Sequence, residues 1–325
     1  MGLFDFFKKN NNNNALSERE RYGQAWLQIV GQNRIKGLQA MRELSDGGFI
    51  EASIALAMFT ENPTERKALY KKAADANNPE GLWGYAGFLQ HSFVPNPKNP
   101  ADAQWEATCL KAARLGSVDA MNEMGNIYNR RNQYTRSMYW YMMAHLNDFP
   151  QGQISVNGIA QKWLNDDMPY HYEPGDDFSE VKHQCALFYL EMWADQEITT
   201  PIDEYIRMNL AGEPLAAYLT GDMFEQAGNY EMAYKMYNAI AFENDAHGLK
   251  CYADMLFTGR GVEKDMQGAL KMYSASAERG DRAAMFVLGE FTKNTNVNLA
   301  AYWYGVAHSR GYQHALPRLM QLANK

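Results

Sequence analysis

One spacing pattern recurs along this chain and constrains its fold more than anything else. Six pairs of residues stand four apart: Tyr70/Ala74, Cys109/Ala113, Trp140/Ala144, Tyr237/Ala241, Tyr273/Ala277 and Trp303/Ala307. A spacing of four places both members on one face of a helix. Eight residues before five of these anchors stand Asn62, Asn132, Asn229, Asp265 and Thr295. Such side chains accept hydrogen bonds from the free N–H groups of a helix's first turn. Before Cys109 the same role falls to Asn99-Pro100, a cap followed by a first-turn proline. Three residues after the alanines come Asn77, Gly116, Asn147, Asn244 and Gly280. Gly and Asn tolerate the left-handed conformation that ends a helix. Cap, buried face and stop therefore agree in copy after copy.

A second series runs between these helices. Small residues stand five apart at Ala52/Ala57, Gly81/Ala86, Ala120/Gly125, Ala216/Gly221, Gly248/Ala253 and Ala284/Gly289, with Gln153/Gly158 as a weaker member. Small residues let helix backbones approach closely, as antiparallel pairs require. Successive copies are 29, 39, 33, 63, 32 and 36 residues apart. The step of 63 predicts a degraded unit with helices near 183–196 and 200–212. The expected fold is all-α: a right-handed α-solenoid of about eight antiparallel helix pairs over residues 16–325. A Pro- and acid-rich loop at 165–179 is expected to interrupt it, and an asparagine tract precedes it in a tail over residues 1–15.

Among the copies, residues 248–289 carry a further signature. Ala253, Gly259, Gly261, Val262 and Asp265 lead into Ala269, Tyr273, Ala277 and Gly280. This segment resembles a Sel1-like repeat, a relative of the tetratricopeptide repeat, whose Gly-x-Gly-Val-x-x-Asp loop is its most recognisable element. The glycines end the first helix, Val262 is expected to plug the pair, and Asp265 to cap the second helix. The other copies depart from this loop; 88–100 is a Pro/Asn-rich insertion. The resemblance implies a role in assembling protein complexes, often in bacteria.

Composition narrows the function. The net charge of −7 over 325 residues lacks the basic surface that general nucleic-acid binding needs. No run of about 20 apolar residues is present to span a membrane. Residues 1–9 have neither the apolar run nor the cleavage site of a secretory signal, so a cytoplasmic location is expected. The three cysteines, Cys109, Cys185 and Cys251, are far apart and lack zinc-site spacing. They read as core thiols. No metalloprotease, nucleophile-elbow, P-loop or dinucleotide motif occurs. No catalytic residue, cofactor or metal is therefore expected.

What remains is a partner surface along the first helix of each pair. Positions two and six after the first small residue share a face. They bring forward Trp83, Asn122, Asn126, Tyr218, Asp222, Asp254, Phe286 and Glu290, with Asn129 one turn further along. Tyr218 and Phe286 beside the three acids suit a peptide with basic and apolar residues. The asparagines suit an extended backbone. The expected function is a non-catalytic scaffold or adaptor that binds a protein or peptide on the concave repeat surface. Two alternatives stand beside it: an inhibitor or immunity-type protein sequestering one partner, and a hydrolase on a repeat fold. The apolar tip at residues 2–7, followed by Lys8 and Lys9, suggests weak contact with a membrane or partner.

Overall fold

A computed structural model describes residues 16–90, 95–147, 149–164, 183, 186, 214–242 and 245–324. Sixteen helices and no strand occur among the described residues. In order they are α1 (Glu18–Val30), α2 (Arg34–Asp46), α3 (Ile50–Phe59), α4 (Pro63–Asp75), α5 (Pro79–Ala86), α6 (Pro100–Arg114), α7 (Val118–Arg130), α8 (Tyr134–Leu146) and α9 (Pro150–Leu164). They continue with α10 (Pro214–Gln226), α11 (Tyr230–Phe242), α12 (Ala246–Thr258), α13 (Met266–Glu278), α14 (Arg282–Thr292), α15 (Val297–Ser309) and α16 (Ala315–Ala323). Consecutive helices pack against each other, giving an α-solenoid of antiparallel pairs. The 183–196 and 200–212 pair, the 165–179 loop and the tail over 1–15 lie outside the described residues, apart from His183 and Ala186, which are helical and buried.

Most helix boundaries follow the local chemistry of the sequence. Asn62 and Asn78 each accept from two backbone N–H groups ahead of a first-turn proline. Asp265 caps α13 by accepting from the Gln267 and Gly268 N–H groups, and Asp281 caps α14 by accepting from that of Ala284. Asn77 and the glycines 116 and 280 take positive φ at the stops. Asn147 ends α8 with φ −90° instead, outside the left-handed region. Gly259 and Gly261 also have positive φ, and Val262 packs against both core clusters, as the Sel1-like loop implied.

Two copies sit one residue out of the expected register. In α15 the cap is Asn296 rather than Thr295, and in α8 the helix starts after Gln133. Asn132 is no cap: it takes φ +59° in the turn. Correspondingly, Tyr141 and Tyr304, not Trp140 and Trp303, face the small residue of the partner helix. A Cβ on Gly125 would lie 2.4 Å from the Tyr141 ring, and one on Gly289 would lie 2.4 Å from Tyr304. Trp140 and Trp303 are buried too, on the neighbouring flank. A Cβ on Gly158, by contrast, would meet nothing within 4 Å among the described residues.

Helix α1 has none of the recurring anchor pairs, yet it carries a capping box. Ser17 accepts from the Glu20 N–H, and the Glu20 carboxylate accepts from the Ser17 N–H at 2.9 Å. This helix lies along α15 so tightly that a Cβ on Gly23 would stand 1.8 Å from the Asn298 carbonyl oxygen. Trp26 fills the space left by Gly305. Asn296 donates to Glu20 across the seam at 2.7 Å. Residues 22–69 and 253–322 consequently share one hydrophobic core, while a second core occupies the middle units. Among the described residues, helices from the first and last units thus pack together along this seam.

The same region gathers the turns that link one pair to the next. The Arg282 guanidinium, 4 % exposed, donates to the carbonyls of Asn147 and Arg310, both at 3.0 Å. Turns from four units are thereby tied together, since the stop glycines 116 and 280 approach Arg279 and Leu115. Near them lies a cavity of about 540 Å³ whose walls include Glu18, Phe49, Asn78, Leu115, Arg279 and Arg310.

Candidate functional site

The first helices present a ladder of polar groups, each built in the same way. A small residue lets a tyrosine from the second helix lie flat against the first. The residue just after the small one then receives the tyrosine hydroxyl. Tyr141 donates to Asn126 at 2.7 Å, Tyr237 to Asp222 at 2.6 Å and Tyr304 to Glu290 at 2.7 Å. Tyr273 donates to Asp254 in the same arrangement. Hydrogen bonds to ionised acceptors are the stronger class. Burial, together with the neighbouring carboxylate, pushes the Tyr237, Tyr273 and Tyr304 hydroxyls well above the ordinary phenol value. They remain neutral donors at any physiological pH.

Position six of the repeat is thus a fixed, half-buried ridge. Asp254 also pairs with Lys250 at 2.9 Å. Glu290 pairs with Lys293 at 2.5 Å and Arg318 at 2.9 Å. Although burial acts the other way, Lys293 and the Tyr304 hydroxyl hold the Glu290 carboxyl below its usual range. Asn126 donates to Glu123 at 2.8 Å, and Glu123 pairs with Arg130. Asn129 joins the same knot through Tyr141. Asn122 is half-buried, and its Oδ1 has no hydrogen-bond partner among the described residues.

Position two behaves differently. Tyr218 is 1 % exposed, with its hydroxyl on Asp245 and its ring edge-on to His247 at 5.0 Å. It belongs to the core and is not presented to a partner, because the ring turns inward to pack between units. Phe286 is half-buried against Tyr304 and Tyr312, with ring centroids 5.5 and 5.2 Å away. Trp83 likewise packs against the core while keeping part of its surface. The structure therefore joins Asn126 with Asn129 and places Asp222, Asp254 and Glu290 at equivalent ladder positions. It withdraws Tyr218 from the surface.

The tyrosine ladder escaped the sequence reading, although a signal was present. A polar residue follows a small one, and a tyrosine stands 14 or 15 residues later at Asn126, Asp222 and Glu290. At Asp254 the interval is 19, lengthened by the Gly-x-Gly loop. Among the described residues no cluster of three or more His, Cys, Asp or Glu is placed to hold a metal. No described helix is long and apolar enough to cross a membrane.

No family model matches the chain, and no curated protein matches it. Solved structures similar to it include the following two. One is c5321, a protective antigen of uropathogenic Escherichia coli strains displaying an SLR fold. It is 16 % identical over 94 % of this chain and 87 % of its own, with a TM-score of 0.37. The other is a Sel1 repeat protein from Oxalobacter formigenes, 16 % identical over 89 % of this chain and 99 % of its own, with a TM-score of 0.29. The chain resembles the Sel1-like repeat proteins. Its helix-pair architecture rests on its own geometry described above.

Proposed function

We propose that this protein is a non-catalytic interaction scaffold that binds a protein or peptide partner along the ladder of first-helix acids. The observation that carries this reading is the repeated tyrosine clamp. It holds Asp222, Asp254 and Glu290 at equivalent positions and keeps them half exposed. A carboxylate accepts several hydrogen bonds at once, so a clamped acid still has capacity for a basic partner. Preorganised groups lose little freedom on binding. Asn122, Asn126 and Asn129 extend the same face into the middle units, with Trp83 and Phe286 as apolar contacts. A basic, extended segment of a protein partner suits this ridge better than nucleic acid, whose phosphates the acids repel. A single partner bound tightly in a one-to-one complex would make the protein an inhibitor or immunity-type factor, and a set of partners would make it an adaptor.

The test is a triple charge-neutral variant, Asp222→Asn, Asp254→Asn and Glu290→Gln. Each replacement keeps an oxygen to accept the tyrosine hydroxyl. Affinity capture of partners from native lysate is compared for this variant and the unaltered chain. Loss of capture with helical circular dichroism unchanged supports the ridge. Equal capture by both refutes it.

A further inference from the structure

The cavity of about 540 Å³ lies away from the ladder, and none of the ridge acids lines it. Its walls come from the turns that end α2, α4, α6, α13 and α15 and from the starts of α1, α3 and α5. Charges of both signs stand on those walls. Most are answered within the protein. Glu18 pairs with Arg21 and Glu278 with Arg19, both at 3.7 Å, and Arg279 donates to the Ala275 carbonyl at 3.1 Å.

Two wall charges have no such answer. Arg310, at the end of α15, is half-buried and makes no ion pair among the described residues. Its guanidinium reaches the Gly280 carbonyl at 3.5 Å, beyond the usual range of an N–H···O bond. The Glu80 carboxyl, on which Arg310 pulls, is lifted by burial to about 7, so it offsets little of that charge in mild acid. Glu51, in the first turn of α3, is also half-buried. Its side chain makes neither an ion pair nor a hydrogen bond among the described residues. Half-buried charge without a partner is costly. The two are opposite in sign and line one cavity, yet they do not close on each other, because each is fixed at the end of a different helix. Apolar surface lies on the same walls. The Phe49 ring is held against Tyr22 and Tyr302, with centroids 5.5 and 6.4 Å away, and Leu115 is 39 % exposed despite its size.

We propose that this cavity binds a small apolar zwitterion, a free amino acid or dipeptide, with its carboxylate on Arg310, its ammonium on Glu51 and its side chain against Phe49 and Leu115. A guanidinium holds a carboxylate through two parallel bonds. An ammonium brings three donors, which the Glu51 carboxylate and the turn carbonyls accept. A purely anionic ligand would face Glu18, Glu51 and Glu278, and a purely cationic one would leave Arg310 unanswered. The volume falls within the range of small-molecule sites, about 300–1,000 Å³. Bound in this way, the ligand ties the start of α3 to the end of α15, two helices from the first and last units that already touch.

The experiment uses the full chain at about pH 6. Thermal unfolding is followed by circular dichroism with about 10 mM L-leucine or L-leucyl-L-leucine, and with the N-acetyl and C-terminal amide forms of each. At that concentration a ligand with a Kd of about 1 mM or tighter raises the Tm of a chain this long by about 2 °C or more. At least one zwitterion is expected to reach that shift. Its acetyl and amide forms, each lacking one charge, are expected to give less than half of it. A smaller shift from both zwitterions overturns the proposal, and so does a single-charge form that reaches half the shift of its parent. Arg310→Gln and Glu51→Gln are each expected to weaken binding at least tenfold by calorimetric titration, and undiminished affinity in either variant, with its helical signal intact, refutes the assigned contacts. The triple ridge variant is expected to keep the full shift; losing it would put the ligand on the ridge instead. The first comparison needs no substitution, so misfolding of a variant cannot leave the question open.

Discussion

Glu80 gives the sharpest quantitative prediction about the gathered turns. It stands in the first turn of α5, 7 % exposed, with Ser117 Oγ 3.3 Å from its carboxylate. Burial lifts its carboxyl from 4.5 to about 7, against the pull of Arg310, with Asp119 adding to the rise and Arg282 opposing it. The sign follows directly. Below pH 4.5 both the folded and unfolded chains hold the proton. Between 4.5 and 7 the unfolded chain has lost it and the folded chain keeps it, so rising pH favours unfolding. Above 7 the loss is complete and constant. At 1.36 kcal/mol per pH unit, the interval corresponds to about 3 kcal/mol. Glu80→Gln keeps the shape and cannot ionise. Its stability relative to the unaltered chain is expected to rise by about 3 kcal/mol between pH 4.5 and pH 8.5. An unfolding entropy of about 2.1 cal/mol/K per residue makes this a Tm gap of roughly 4–5 °C opening at the alkaline end. Thermal unfolding followed by circular dichroism at the two pH values reads it. Other titrating groups, such as Asp119, whose carboxyl burial also raises, move both proteins alike and largely cancel in the difference. Parallel curves for the two proteins would refute a buried, protonated Glu80 among the gathered turns.

Two further substitutions test the seam and the ladder. Gly23→Ala drives a methyl into the Asn298 carbonyl, and rigid backbone leaves it nowhere to go. We expect a loss of about 3 kcal/mol, at the upper end of overpacking costs, and faster hydrogen exchange in α1 and α15; unchanged exchange there would mean the ends do not meet in solution. Tyr237→Phe removes the hydroxyl that Asp222 accepts at 2.6 Å. It is expected to cost about 1.5–3 kcal/mol, the range for bonds to charged groups, by urea denaturation, and a loss under 0.5 kcal/mol would show that the clamp does not hold the ridge.

Much of the local architecture is legible in the residues. Caps at Asn62 and Asp265, stops at Asn77 and Gly280, and the helix faces around Tyr237 and Tyr273 all follow from hydrogen-bond chemistry within a few positions. The one-residue slips at α8 and α15 show where such reading ends. Tyr141 and Trp140, like Tyr304 and Trp303, are adjacent aromatics, and both of each pair are buried. Only the partner helix, by offering Gly125 or Gly289, decides which ring lies in the groove. The acids of the ridge were identifiable by position, but their hydroxyl donors come from the following helix and depend on how closely two backbones approach.

What the sequence alone determines is therefore the all-α repeat, most helix ends and the identity of the first-helix polar positions. These depend on contacts three to eight residues apart. Contact between the first and last units is decided only in three dimensions. Gly23 and Asn298, or Arg282 and Asn147, meet across 275 and 135 residues. No short-range periodicity encodes such pairings, because they depend on the curvature accumulated over every intervening helix pair. The His247–Asp281 contact likewise joins two successive repeat units, through residues 34 positions apart. Tertiary packing gives the buried Glu80 its distinct chemistry, because it sets its exposure and the charges that surround it.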